Sequence, residues 1–249
     1  MKIRIKALVF AGVLLLKSAF AAEPNPEPVT LTAADGVSVF GDYYKVDKPK
    51  ALILLFHQAG SNRGEYTPIA AKLVQEGYSA LAIDQRSGGN YFGRSNETVK
   101  KLGHSGEYLD AQKDLEAALD WSSAAAAGAP VILWGSSYSS SLVFLVAAKQ
   151  PEKVAALLSF SPGEYLGGSA TVRNAAAKVR IPVFVTSAKD PEEIAEAKKV
   201  VSAVATSSKT QFVPTLGGVH GSSTLRQDRN PKGAAENWQA VLQFLNGIH

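Results

Sequence analysis

No cysteine occurs among the 249 residues. This excludes a disulfide framework, a thiolate nucleophile, cysteine-ligated metal and a lipidated-cysteine anchor. The chain also lacks an apolar run that spans a bilayer. Its longest candidate, residues 7–16, is about half of the roughly 20 residues that a membrane helix needs. Lys2, Arg4 and Lys6 precede that run, and Ala19-Phe20-Ala21 follows it as a small-x-small cleavage site. The order matches a secretory leader over residues 1–21, with one mature domain over 22–249. The expected location is the periplasm or the exterior, with no stable membrane anchor after cleavage.

An excess of basic charge disappears with the leader. Four of the 26 Lys and Arg residues and none of the 22 Asp and Glu residues fall in the first 21 positions, which leaves 22 of each sign. A neutral mature chain has no long-range electrostatic reason to seek polyanions, so no nucleic-acid partner is expected. Metal-ligand spacing of the H-E-x-x-H kind, a phosphate loop and a dinucleotide fingerprint are all missing. The expectation is therefore a protein that needs no cofactor and no metal.

What the chain does contain is an alternation of short apolar runs with helix-period stretches. Runs at 29–32 and 37–44 flank Asp35-Gly36, a hairpin signal. Runs at 51–56, 78–83, 131–134, 154–160, 181–186 and 210–213 read as strands. Helical stretches fall at 66–75, 107–121, 139–149, 170–179, 192–204 and 232–245. A hairpin followed by repeated strand–helix units predicts an α/β fold with a mostly parallel central sheet and helices on both faces. Functional residues then belong just beyond the carboxyl ends of the strands.

Gly135-Ser136-Ser137-Tyr138-Ser139 occupies such a place, between the run at 131–134 and an apolar helix. A strand that turns sharply into a helix through G-x-S-x-small exposes the middle serine, and small neighbours let the backbones approach. The bare G-x-S pattern occurs seven times. Only the copy at Gly135 has strand before, helix after and a small residue two positions beyond the serine. The competing reading is that these serines merely cap a core helix.

A nucleophilic serine needs a base, and the chain has four histidines: His57, His104, His220 and His249. His220 follows the last strand in a glycine-rich loop and comes after Ser137, the chain order expected of this fold. His57 reads as a loop support. The acid should stand between serine and histidine, at a strand end. Asp190 fits, although Asp190-Pro191-Glu192-Glu193 is also a good helix start. Glu164 is the alternative. For the oxyanion hole, one backbone N–H is expected from Tyr138 and a second from Gln58 or Ala59. Asp84 and Arg86 are expected to order the loop after the strand at 78–83.

Together Phe56-His57-Gln58-Ala59-Gly60, Asp84-Gln85-Arg86-Ser87-Gly88-Gly89, the Ser137 pentapeptide, Ala188-Lys189-Asp190 and Gly218-Val219-His220-Gly221 resemble an α/β-hydrolase of the compact dienelactone-hydrolase-like branch, over the whole mature chain. The resemblance implies Ser137 as nucleophile, Asp190 as acid, His220 as base and an acyl-enzyme intermediate. Gln58 and Ser139 stand where that family usually has glycine. About twenty residues between Phe160 and the strand at 181 leave room for one helix as a minimal lid. The leading expectation is an enzyme, a serine hydrolase that cleaves an ester or a related acyl bond in a small-molecule or acyl-bearing substrate. Peptidase or thioesterase chemistry with the same residues, and a non-catalytic binding protein on this scaffold, remain open.

Overall fold

A computed structural model describes residues 25–248; the expected leader lies outside the described residues. Strands β1 (Glu27–Thr32) and β2 (Ser38–Tyr44) form the antiparallel hairpin anticipated around Gly36, whose φ is +82°. Six parallel strands follow: β3 (Leu52–Phe56), β4 (Ser79–Ile83), β5 (Val131–Ser136), β6 (Ala156–Phe160), β7 (Val183–Thr186) and β8 (Lys209–Phe212). They lie in the order β1-β2-β4-β3-β5-β6-β7-β8, and β2 is antiparallel to both its neighbours.

The uninterrupted apolar runs have the cause expected of them: both faces of the sheet are covered. All five residues of β3 are buried, and they alternate between two apolar layers. Leu52, Leu54 and Phe56 pack with α3 (Gln112–Ala125), α4 (Tyr138–Lys149), α5 (Thr171–Ala176) and α6 (Pro191–Ala203). Ile53 and Leu55 pack on the opposite side with α1 (Thr67–Gln75) and α7 (Ala234–Leu245). Each such aliphatic side chain contributes about 1.5–3 kcal/mol by leaving water.

Two elements depart from the sequence reading. Helix α2 (Glu97–Leu102) was not anticipated, because it is short, polar and buries only Thr98. Its punctuation is nonetheless present: the Asn96 side chain accepts from Val99 N at 2.8 Å, and Gly103 closes the helix at φ +83°. Helix α3 begins at Gln112 instead of residue 107, after a 3-10 turn over Leu109–Ala111 that leaves Leu109 exposed. Asp114, in the first turn of α3, is buried and accepts from Arg86 N at 2.8 Å, which anchors the helix start beneath the β4 loop.

Candidate active site

Strand β5 runs into α4 through Ser137, which has φ +58° and ψ −125°. A non-glycine residue in this region is strained and persists only when its surroundings enforce it. Here the Ser137 N–H donates to Phe160 O of β6 at 2.9 Å, and the Ser137 carbonyl accepts from Ser140 N at 2.9 Å. A Cβ at position 135 would collide with the Ser139 carbonyl, so the tight turn requires Gly135. The Tyr138 N–H, at the start of α4, has no partner among the described residues.

His220 arrives on the loop after β8. Its Nε2 lies 2.8 Å from Ser137 Oγ, and its Nδ1 lies 2.9 Å from Glu193 Oε1. The glycine-rich loop is pinned rather than free. Gly221 N donates to Ser161 Oγ at 2.9 Å and Ser222 N to Ser136 Oγ at 2.8 Å. Trp134 Nε1 donates to Ser222 Oγ at 2.9 Å, which ties the loop to the buried face of β5. Gly221 has φ +67°, and a Cβ there would collide with Ser136 Oγ.

The carboxylate on His220 is therefore Glu193, and the expectation for Asp190 is corrected. Asp190 is the N-cap of α6: its Oδ1 accepts from Glu192 N at 2.9 Å and Glu193 N at 3.1 Å, and the side chain is exposed. Glu193, three residues on, points back toward the β7 loop. Its second oxygen accepts from Ala188 N at 3.1 Å. Glu164 is occupied elsewhere; it caps α5 by accepting from Val172 N at 2.8 Å and pairs with Arg173. Burial is the largest single influence on the Glu193 carboxyl and would raise it, but the hydrogen bonds from His220, Ser161 and Ala188 N and the charge of His220 together outweigh it and hold the group below its ordinary value. The Glu193–His220 bond raises His220 above the usual imidazole range, against the opposing effect of burial.

The β3 loop forms the other wall. Ser61 N reaches Gln58 O at 3.3 Å across a turn in which Gly60 takes φ +66°. Of the two expected donors, Gln58 is already committed: its N–H donates to Glu65 Oε2 at 2.9 Å. The Ala59 N–H has no partner among the described residues. His57 is fully buried and structural. Its N–H donates to Gln85 Oε1 at 2.7 Å, its Nε2 accepts from Gln85 N at 3.0 Å and its Nδ1 donates to Gln58 O at 2.7 Å. Burial lowers its pKa, so the neutral ring is the stable one.

Ser139 explains its own departure from glycine. Its hydroxyl donates to His57 O at 2.6 Å and accepts from Gln85 Nε2 at 2.6 Å, which couples the serine turn to the β3 loop. Asp84 and Arg86 order loops, each through a partner of its own. Asp84 binds Arg63 and accepts from Glu97 N at 2.7 Å. Arg86 bridges Asp114 at 2.7 Å and Asp35 at 2.6 Å. The segment between β6 and β7 carries the six-residue α5 alone, and Ser137, His220 and Glu193 remain half-buried. The site is open at the carboxyl ends of the strands.

Residues 47–221 match the sequence pattern of the family described as serine aminopeptidase, S33. The chain belongs to this α/β-hydrolase family. Its fold also resembles solved structures. A dienelactone hydrolase from Anabaena variabilis is 17% identical, with 91% of this chain and 99% of that one covered at a TM-score of 0.71. An esterase from Pyrococcus furiosus is 18% identical over 90% of this chain and 92% of its own, at 0.66. A cold-adapted esterase from an Arctic intertidal metagenomic library is 25% identical over 74% and 82%, at 0.59. No curated protein matches the sequence at a significant level. The family match begins before β3 and ends just after His220, so it spans all the loops that build this site.

Proposed function

We propose that the protein is a serine hydrolase that cleaves an ester or a related acyl bond by way of an acyl-enzyme. The observation that carries this reading is the unbroken chain of contacts Ser137 Oγ–His220 Nε2 at 2.8 Å and His220 Nδ1–Glu193 Oε1 at 2.9 Å. His220 Nε2 takes the Ser137 proton as the oxygen attacks the substrate carbonyl carbon. The tetrahedral oxyanion forms beside the Tyr138 and Ala59 N–H groups, which have no partner among the described residues and are free to donate to it. Glu193 holds the ring in the tautomer with Nδ1 protonated and stabilises the imidazolium. That imidazolium returns its proton to the departing alcohol. Water, activated by neutral His220, then attacks the acyl-enzyme, releasing the acid and restoring the serine.

The choice of ester over amino-terminal peptide substrates rests on charge. An aminopeptidase needs a carboxylate that faces the substrate ammonium group. Glu65 and Glu193, the carboxylates at this site, already hold Gln58 and Ser136 in one case and His220 and Ala188 in the other. Export belongs to the same proposal: a mature protein that begins at Ala22 supports it, and one that retains Met1 opposes it. The direct test of the chemistry is a fluorophosphonate probe with the modified peptide located by mass spectrometry. Stoichiometric modification of Ser137 supports the proposal. A folded wild type that takes up no probe favours a binding protein on a hydrolase scaffold.

A further inference from the structure

One buried carboxylate at the site has no part in the proton relay. Glu65 sits in the 3-10 turn Arg63–Tyr66 between β3 and α1, fully buried. Its Oε2 accepts from Gln58 N at 2.9 Å, on the oxyanion loop. Its Oε1 accepts from Ser136 Oγ at 2.7 Å, directly before the nucleophile. Ser136 Oγ in turn accepts from Ser222 N at 2.8 Å, two residues beyond His220. One side chain thus touches, directly or through a single hydroxyl, the three loops that carry the oxyanion donors, the serine and the histidine.

We propose that Glu65 is a positioning residue that locks these three loops into one unit and thereby aims the Ala59 N–H at the developing oxyanion. The proposal rests on the serine-hydrolase reading above. The donor pattern requires an acceptor at both oxygens. Gln58 N is a donor only, and Ser136 Oγ already receives the Ser222 N–H, so its own proton is directed to Glu65. A neutral acid must reverse the Ser136 hydroxyl, and the amide of Glu65→Gln must do the same.

The surroundings give this arrangement a titration. Burial pushes the carboxyl up to about 7, against the hydrogen bonds from Gln58 and Ser136 and the charges of Arg226 and His220. Arg226 approaches through the backbone, donating to Glu65 O at 2.9 Å. From its own turn come Tyr66, whose hydroxyl donates to Phe56 O at 2.7 Å, and Arg63, which is engaged by Asp84 and Glu97. His57 faces the same loop in its neutral form. The Glu65 anion in turn helps to raise His220.

The test is the pH dependence of kcat and kcat/KM on an acyl ester for wild type and Glu65→Gln. Activity should rise with pH through two ionisations in the wild type, since His220 must be neutral and Glu65 charged. Glu65→Gln should show a single ionisation at lower pH, with kcat reduced roughly 10- to 100-fold, the scale for a misplaced catalytic group, and little change in KM. Wild-type kcat with an unmoved acid limb overturns the proposal. If that variant does not fold, Ser136→Ala removes the donor to Oε1 and should move the Glu65 ionisation to higher pH; an unmoved limb there also overturns it. A wild type inactive on every acyl ester and untouched by fluorophosphonate overturns the hydrolase reading and this proposal with it. An active wild type with an indifferent Glu65→Gln overturns this proposal alone.

Discussion

His220 Nδ1 stands 2.9 Å from Glu193 Oε1, while Asp190, three residues earlier, turns its carboxylate onto the N–H groups of Glu192 and Glu193. The two acids divide what one was expected to do. The N-cap of a helix holds its side chain against the helix's own first turn. The third helical residue is set one turn along and reaches back over the strand end. Glu193 uses that reach twice, on His220 and on Ala188 N.

That division has opposite consequences for two variants. Glu193→Gln is expected to lower kcat by about three to four orders of magnitude, the scale seen when a triad acid becomes an amide. Asp190→Ala should leave kcat within a small factor and cost about 1 kcal/mol of stability for the lost cap. Steady-state kinetics with urea unfolding on both variants checks the pair. Strong loss of kcat in Asp190→Ala with a normal Glu193→Gln would reverse the assignment.

The acid limb of kcat/KM should lie above the ordinary imidazole value of 6.5, because the bond from Glu193 raises His220. The base must be neutral, so activity rises as pH passes upward through the raised value. In Glu193→Gln the His220 ionisation should move to lower pH while that of Glu65 stays, so the two ionisations of the limb should separate. A limb of the same position and shape in both proteins would contradict the contact.

Glu65 also links stability to pH. Its folded value of about 7 exceeds the reference value of 4.5. The folded state therefore binds the proton more tightly, and this contribution is fully present below the reference value and lost as pH rises through about 7. His220, raised as well, acts in the same direction above 6.5, so the comparison must be with Glu65→Gln. Urea midpoints across this window should shift in favour of the variant as pH increases.

Gly135→Ala should destabilise the protein by about 1–3 kcal/mol, the usual scale for overpacking. Its Cβ meets the Ser139 backbone, which cannot move without disturbing the hydroxyl that binds His57 O. A lower urea midpoint at unchanged m would show it.

Much of this was legible in the chain because it depends on local pattern. The unbroken apolar run of β3 announced a strand covered on both faces, and Gly135 through Ser139 announced a sharp strand-to-helix turn. Helix α2 escaped because it has no apolar period, only Asn96 and Gly103 as caps. Glu193 escaped because two readings of Asp190-Pro191-Glu192-Glu193 competed, and a helix cap and a histidine partner are both carboxylates. Glu65 carries no local mark at all. Its burial depends on the loop of Ser222 and Arg226, which folds over it from the far end of the chain. The choice between Gln58 and Ala59 as the second donor stayed open for the same reason: the Gln58 N–H is satisfied by a side chain whose burial the sequence does not reveal.

The most direct measurement is turnover of acyl esters of increasing chain length by wild type and Ser137→Ala, side by side. Wild type should turn over at least one ester, with activity in the variant reduced by orders of magnitude, on the scale known for loss of a serine nucleophile. Equal turnover by the two proteins would contradict it, whatever the distances between Ser137, His220 and Glu193.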